Sequence, residues 1–467
     1  MRSFGRYVFV PGDWAAALLS WLFFSLFRKT ILEGMEYVSV FADTKFRVSL
    51  IVLPFFWIFL HWISGSYTDP YRKSRLQEFF RTLMVTLIGS TILFFSLLLD
   101  DLVKSYKDYY ISFIVLFSTQ FALTYSFRFI LFNYIKHQFK KGTFRFPTLL
   151  IGCSSQADEV IRELESDRDI HLYDIRGFIQ TGEQIFPRFQ SGFRQFGGVD
   201  AIEQCIQREG IEELIIATEP EEREMVNRIL NQVADRNLYV KIVPDTFDIL
   251  SGSVRLNHII DEAFVEIPPQ MLSEWEKNIK RVTDICGALI ALIIFSPIMI
   301  FVAIRIKLDS PGPVFYEQER LGQFRKPFRM KKFRSMKTDA ENGTPRLTQD
   351  DDDRITRTGR WIRKYRFDEL PQFFHVLSGE MSLVGPRAER AYFAKQIQER
   401  VPYYNHIFRV KPGITSLGMV KYGYASNIDE MVRRLKYDIL YIENMGWLTD
   451  LKVLLYTVIT VIRGKGK

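Results

Sequence analysis

Residues 48–68, 82–99 and 109–127 contain no Asp, Glu, Lys or Arg. Each run is about as long as an α-helix must be to cross a bilayer, where a segment has to satisfy its own backbone polar groups. A chain built this way folds around a membrane before it folds around anything else. An earlier apolar run, Trp14–Phe27, is shorter and reaches across only with help from Tyr7–Val10, which leaves Asp13 inside the span. The expectation is a membrane α-helical bundle of four N-terminal spans over residues 1–140. A cleaved signal peptide does not account for the first run, since no small-residue cleavage pattern follows it and the membrane signal continues far beyond.

Lys and Arg in the loops set the orientation. The 69–81 loop holds Arg72, Lys73, Arg75 and Arg81. The segment after the fourth span holds Arg128, Lys136, Lys140, Lys141 and Arg145 with no acid between them. The 100–108 loop sets Lys104 and Lys107 against Asp100, Asp101 and Asp108. Four spans therefore place both termini and the 69–81 loop inside. The 28–47 loop runs against this, because it should lie outside yet carries Arg28, Lys29, Lys45 and Arg47.

The 467 residues leave room for about three domains. A formal net charge of +8 suits an anionic membrane surface, phosphorylated substrates or nucleic acid. The apolar runs favour the first two, so nucleic acid is not an expected partner. Cys153, Cys205 and Cys286 are far apart and odd in number, which gives neither a disulfide framework nor zinc spacing.

From Phe146 the pattern alternates. Thr148–Gly152 reads as a buried strand, Ala157–Glu165 as an amphipathic helix and Ile175–Gln180 as a second strand. Val199–Glu209, Glu213–Thr218, Glu221–Asn237 and Leu238–Val243 continue as helix, strand, helix and strand. Such alternation implies a parallel sheet with helices on both faces, a Rossmann-like α/β domain over residues 146–249. Its first strand-to-helix turn, Gly152-Cys-Ser-Ser-Gln-Ala157, has one glycine where a dinucleotide fingerprint wants three. The expectation is a scaffold, sensor or oligomer interface rather than a working dinucleotide site. Residues 250–275, with Gly252 and the Pro268-Pro269 pair, read as a linker.

Residues 285–304 again lack any charge, and length alone makes them a fifth transmembrane helix. Two features oppose that. Ser296-Pro297 stands in the second half, where proline removes a backbone hydrogen bond and bends a helix. Basic residues flank both ends, Lys277, Lys280 and Arg281 before and Arg305 and Lys307 after, so both ends want the same side. A re-entrant helix over 282–307, entering one leaflet and returning, satisfies both features.

The rest of the 276–467 region is rich in charge. Arg325–Lys337 is a basic stretch, and Arg354, Arg357, Arg360 and Arg363 recur every three residues. On a helix they form a drifting stripe, which usually faces solvent. Asp368-Glu369-Leu370-Pro371 precedes an apolar run, Phe373–Leu377, closed by Gly379. Pro in a first turn and Gly after a last turn frame a short helix. The two carboxylates lie at its positive end and point in different directions, one suited to attack and one to hold a metal. A plain N-cap is the simpler reading of the same residues.

From Lys280 onward the chain resembles the bacterial polyprenyl-phosphate hexose-1-phosphate transferases, which are monotopic phosphoglycosyl transferases. The resemblance rests on Lys280-Arg281-x-x-Asp284, Ser296-Pro297, Gly312–Tyr316, Gln318-x-Arg320-x-Gly322 and Lys332–Met336. It continues through Asp353–Thr356, Gly359-Arg360-x-Ile362-Arg363-Lys364, Asp368–Gln372, Gly379–Arg387 and Lys411–Thr415. It implies a mainly α-helical monotopic catalytic domain whose re-entrant membrane helix breaks at Ser296-Pro297. It implies Asp368 as nucleophile, Glu369 as a ligand of Mg2+, and Lys332, Arg334, Arg363 and Arg387 near phosphates. The implied partners are a UDP-sugar, undecaprenyl phosphate and membrane lipid. The implied setting is the inner (cytoplasmic) membrane of a bacterium, with the catalytic domain of a multi-pass chain facing the cytoplasm; a homodimer is compatible with it. Two departures stand out. Pro386-Arg387-Ala388 replaces the usual Pro-Arg-Pro, and Leu417-Gly418-Met419-Val420 replaces a common Leu-Trp-Gln-Val. The second touches a region that could shape sugar choice, so no sugar identity is carried over.

The implied reaction makes two displacements at one phosphorus. Asp368 attacks the sugar-bearing phosphate, UMP leaves, and the lipid phosphate then attacks the aspartyl phospho-sugar. No general base is required, because both nucleophiles are anionic near neutral pH. The obstacle is repulsion among anions, which Mg2+ and a ring of Lys and Arg offset. Trp447–Ile462, followed by Arg463, Lys465 and Lys467, reads either as an interfacial helix with basic anchors or as a core helix. A membrane sensor working through the middle domain is the competing function class, and the poor Gly152–Ala157 turn counts against it. An NAD-dependent oxidoreductase lacks both an intact glycine loop and a Tyr-x-x-x-Lys pair in that domain.

Overall fold

In the computed structural model, the described residues are 8–34, 36–68, 73–98, 106–141, 145–166, 173–182, 185–219, 222–243, 264–267, 269, 271–337, 352–423 and 425–462. Tyr7, Arg72, the charged residues of 100–104, the 250–263 part of the expected linker with Pro268, and Arg463, Lys465 and Lys467 lie outside them. Two compact units are present, Met1–Phe144 with Lys277–Ile279, and Arg145–Glu276 with Lys280–Lys467.

In the first unit the uncharged runs become helices α1 (Phe9–Phe27, extended by the wider turn Arg28–Leu32), α2 (Thr44–Ile63), α3 (Arg75–Leu93) and α4 (Tyr106–Lys140). All four are long and apolar enough to cross a membrane. Trp21, Phe24, Leu53, Trp57 and Leu116 pack between them, while Ile51, Phe55, Ile88, Ile114 and Ile130 stay exposed. Asp13, awkward in an apolar run, has a partner far along the chain. Arg128 on α4 donates from Nε to Asp13 Oδ1 at 2.9 Å, donates again to Asp13 Oδ2, and meets Glu78 on α3. All three side chains are buried. Within the 28–47 segment, Arg28 pairs with Glu33 at 3.2 Å and Lys29 pairs with Asp43, so two of its four basic residues are matched by local acids.

The second unit begins with a sheet in the order β2-β1-β3-β4-β5. Strands β1 (Phe146–Ile151), β2 (Tyr173–Ile179), β3 (Glu213–Ile216) and β4 (Tyr239–Ile242) are parallel. Strand β5 (Val265–Ile267) is antiparallel at the edge. Helices α5 (Ser155–Ser166), α6 (Ile202–Glu209) and α7 (Arg223–Val233) cover it. Alternate strand residues face opposite layers, as the pleat requires. Leu149, Ile151 and Ile216 meet Ile202 and Ile229, whereas Leu150 and Ile215 meet Ala157 and Ile161. At the turn after β1, Gly152 has φ 122°, and a Cβ there would lie 2.0 Å from the Ala217 carbonyl oxygen. This glycine answers a close approach between strand ends. The Ser155 hydroxyl opening α5 donates to Glu219 at 3.3 Å, which sets an acid at the helix start.

Helix α8 (Glu274–Asp309) follows and carries Pro297 within it. Helical structure runs on through the proline, where a break was expected. Proline removes the N–H that would serve the Ile293 carbonyl, and the Ser296 hydroxyl donates to that oxygen at 2.9 Å. Then come the hairpin β6 (Phe315–Leu321) and β7 (Pro327–Phe333), α9 (Arg357–Lys364), α10 (Gln372–Ser378) and the short strand β8 (Ser382–Val384). Helix α11 (Ala391–Arg400), strand β9 (Gly413–Thr415) parallel to β8, and helices α12 (Leu417–Lys421), α13 (Ile428–Glu443) and α14 (Trp447–Ile462) complete it. α14 puts Val453 into the core but leaves Trp447, Leu448, Leu455 and Val458 exposed. The parallel-sheet part meets this region through Asn231, whose carbonyl accepts from Asn405 at 3.1 Å, and through the Asp235–Arg325 ion pair.

Removing one partner of a buried charge group leaves the others uncompensated, at a cost of about 3–5 kcal/mol. Arg128→Met is therefore expected to lower the thermal unfolding midpoint of the detergent-solubilised protein sharply. The triple variant Asp13→Asn, Glu78→Gln, Arg128→Met should recover most of that loss.

Candidate functional site

Asp368 and Glu369 sit on a 3-10 turn, Phe367–Glu369, that leads straight into α10. Arg366 before it adopts φ 61°, ψ 20°, which turns the chain sharply at the end of α9. Left-handed backbone at a non-glycine residue costs about 1 kcal/mol or more and persists only where the surroundings enforce it. Pro371 and Gly379, the latter at φ 89°, frame α10. The result is a pair of adjacent carboxylates, both buried.

Positive charge reaches them from three places. Lys332, on β7, donates from Nζ to Glu369 Oε1 at 3.0 Å. Arg387, in the loop after β8, brings Nη1 to 3.7 Å from the same oxygen and 3.1 Å from the Met419 sulfur on α12. The charges of Arg363, at the end of α9, and Arg366 act on Asp368. Burial alone would push the Glu369 carboxyl up, but Lys332, Arg387 and Arg366 outweigh it and hold it well below the usual carboxylate range. Asp368 goes the other way. Burial first, and then the neighbouring Glu369 charge, push it above its ordinary value. Burial likewise pulls Lys332 down, with Glu369 opposing.

The structure thus brings Asp368, Glu369, Lys332, Arg363 and Arg387 together. It places Arg334 elsewhere. Its guanidinium donates to the Pro311 carbonyl at 2.6 Å and to the Ser310 carbonyl at 2.8 Å, so it closes the end of α8. Ser296 and Pro297 lie on α8, with Ser296 exposed. Residues missed by sequence reasoning hold the site in place. His375 Nε2 accepts the Lys331 N–H at 2.9 Å, which puts the ring proton on Nδ1 facing Glu380 at 2.7 Å. That bond ties β7 to α10. Arg281 donates to the Val376 and Leu377 carbonyls at 2.6 and 2.7 Å, covering the C-terminal end of α10. Asp284 accepts from the Leu383 N–H at 2.9 Å and the Ser382 hydroxyl at 3.1 Å. The only sequence signal for these was the Lys280-Arg281-x-x-Asp284 block, which carried no role.

Magnesium takes one or two carboxylates and fills its remaining positions with water and phosphate oxygens. The donor set here fits that habit. Among the described residues Asp368 Oδ1 is buried without a hydrogen-bond partner, and Glu369 is adjacent. Among the described residues no cluster of three or more His, Cys, Asp or Glu side chains offers an all-protein cage.

The opposite shifts of the two acids have opposite consequences for stability. Glu369, depressed in the fold, contributes stability above its ordinary range and loses it as pH falls toward its folded value. Asp368, raised in the fold, costs nothing in acid and opposes folding as pH rises through its folded value. With divalent cations chelated, Asp368→Asn is expected to raise the unfolding midpoint at neutral pH, by about 2–4 °C per kcal/mol recovered. The gain should shrink on acidification. A lower midpoint at neutral pH would contradict this account.

Residues 275–464 match the family model for bacterial sugar transferases. Over 239 residues the chain is 38% identical to the UDP-N-acetylgalactosamine-undecaprenyl-phosphate N-acetylgalactosaminephosphotransferase of Aeromonas hydrophila, across 51% of this chain and 56% of that protein. It is 34% identical over 237 residues to the UDP-glucose:undecaprenyl-phosphate glucose-1-phosphate transferase of Escherichia coli (strain K12), across 50% of this chain and 51% of that protein. The exopolysaccharide production protein PSS of Rhizobium leguminosarum bv. phaseoli is 38% identical over 196 residues, across 40% of this chain and 98% of that protein. The match spans about half the length of the first two relatives and nearly all of the third. The matched residues 275–464 include the carboxylate pair and its basic ring, and with the Rhizobium relative covered almost whole at 38% identity, the chain belongs to the bacterial sugar transferase family.

Proposed function

We propose that this protein moves a sugar 1-phosphate from a UDP-sugar to undecaprenyl phosphate, releasing UMP, through a covalent phospho-sugar on Asp368. The observation that carries the reading is the buried Asp368–Glu369 pair ringed by Lys332, Arg363, Arg366 and Arg387. Relatives named for N-acetylgalactosamine and glucose transfer to undecaprenyl phosphate support the substrate classes. Asp368 has a free oxygen for attack, and Glu369, kept ionised by Lys332 and Arg387, remains an acceptor throughout. Lys332 and Arg387 neutralise phosphate oxygens beside it, and the planar guanidinium favours two oxygens at once. Mg2+ held by Glu369 would add charge neutralisation at the diphosphate and lower the proton affinity of Asp368.

The membrane arrangement is part of the same proposal. α8 enters one leaflet and returns, so that the site faces the cytoplasm at the inner membrane. The support is that one domain grips both ends of α8. Asp284 and Arg281 fasten its start to β8 and α10. Val302 and Ile306 pack on Phe333, Ile362 and Leu370, and Asp309 accepts the Thr358 N–H at 3.0 Å. Ile293, Ile294, Ile300 and Phe301 stay exposed between those anchors, ready for lipid.

Purified protein in nanodiscs, given Mg2+, undecaprenyl phosphate and a panel of UDP-sugars, is expected to release UMP. Release should stop on chelation and fall by about 10^3 or more in Asp368→Asn. Folded protein that releases no UMP from any donor would overturn the reading. For topology, single cysteines at Lys277 and Lys307 should both react with an impermeant thiol reagent from the cytoplasmic side. Labelling from opposite sides would make α8 a through-going span.

A further inference from the structure

Arg387 can serve the carboxylate pair only if its loop is held still. On one side that loop is fixed by backbone. The Gly385 N–H donates to the Thr415 carbonyl at 3.0 Å, and the Gly413 N–H donates to the Pro386 carbonyl at 2.9 Å. The approach is so close that a Cβ on Gly385 would lie 2.3 Å from the Lys411 carbonyl oxygen. Past Arg387 the chain is held through Ala388 and Glu389, and Glu389 carries charge into the interior.

Glu389 and Arg434 are 6% and 5% exposed, so neither belongs to a solvated face. Arg434, from α13, donates to Glu389 Oε1. Arg320, from β6, donates to the Ala388 carbonyl at 2.9 Å and lies 3.7 Å from Glu389 Oε2. The Leu321 N–H donates to the Glu389 carbonyl at 3.0 Å. One turn beyond Arg434, Asp438 is also buried and accepts the Gly418 N–H at 3.1 Å. Gly418 precedes Met419, whose sulfur accepts from Arg387. Glu389, Arg434 and Asp438 are thus buried and Arg320 half-buried, and the group holds the backbone of Ala388 and Gly418, next in the chain to Arg387 and to Met419. Buried charge of this kind is costly unless fully paired, and here it is spent around one residue.

We propose that Glu389 is a positioning residue for Arg387, acting through Arg320 and Arg434 to set the loop that presents Arg387 to Glu369 and to substrate phosphate. The inference rests on the transferase reading above. Glutamine at 389 would keep the shape but take a countercharge from the buried Arg434 and the half-buried Arg320. The loop would then relax, and Arg387 would lose its alignment.

The test is a double-mutant cycle on UMP release, with wild type, Glu389→Gln, Arg387→Ala and the double variant in the same nanodiscs. Each single variant is expected to lose about tenfold or more in kcat, with the double no worse than Arg387→Ala alone. That non-additivity is what a general loss of stability does not produce. Losses that multiply in the double variant would overturn the proposal, as would full activity in Glu389→Gln. If Glu389→Gln does not fold, the paired variant Glu389→Leu, Arg434→Met removes both charges together. It should fold and show the same kcat loss, again masked by Arg387→Ala, and undiminished activity there would overturn the proposal. A wild-type enzyme silent with every donor would overturn the transferase reading and this inference with it.

Discussion

Two adjacent carboxylates in a water-poor site repel each other strongly, because the interaction is little screened there. Asp368 and Glu369 share such a site only because positive charge converges on them from separate elements. Lys332 comes from a strand, Arg363 and Arg366 from the end of one helix and the turn after it, and Arg387 from the loop between β8 and α11. Each delivery has its own support. The His375–Lys331 bond sets the strand, the left-handed Arg366 sets the turn, and the buried group around Glu389 sets the loop. Much of the catalytic region's topology answers that single electrostatic demand.

The same region also has to hold an apolar helix whose outer face it does not cover. Its two ends are fastened differently. Near the start, side-chain carboxylate and guanidinium reach the backbone of β8 and α10. Near the end, Arg334 takes up the Ser310 and Pro311 carbonyls, while Val302 and Ile306 supply apolar contact. Both ends thus have polar fastenings, and between them Ser296 keeps the Ile293 carbonyl satisfied where proline removes its helical donor.

A good part of this was legible in the chain. Runs without charge become the long helices because no ionised side chain in them opposes an apolar surrounding. The strand-helix alternation from Phe146 becomes a parallel sheet because alternate residues such as Leu149 and Leu150 are both apolar and are buried in opposite layers. Pro371 and Gly379 announce α10 by backbone preference alone. What stayed hidden depends on partners distant in sequence. Arg334 lies in a uniformly basic stretch, and nothing local says that it meets helix carbonyls while Lys332 meets a carboxylate. Glu389 looks like a surface acid until Arg320 and Arg434 are folded onto it. Proline at 297 argues for an interrupted helix until the neighbouring serine hydroxyl is seen to serve the orphaned carbonyl.

The Asp13–Arg128–Glu78 group bears on how the chain is made. Asp13 and Glu78 are synthesised well before Arg128, so for a time the first helix carries an acid without the arginine that meets it in the fold, while Glu78 has Arg81 on its own helix, 3.8 Å away. The fourth helix, in turn, carries an arginine whose acidic partners, Asp13 and Glu78, precede it in the chain. Pairing of these buried charges is therefore complete only once the fourth helix has packed against the first and third. A nascent chain halted before residue 128 would hold its first and third helices in the bilayer less firmly than the finished bundle does.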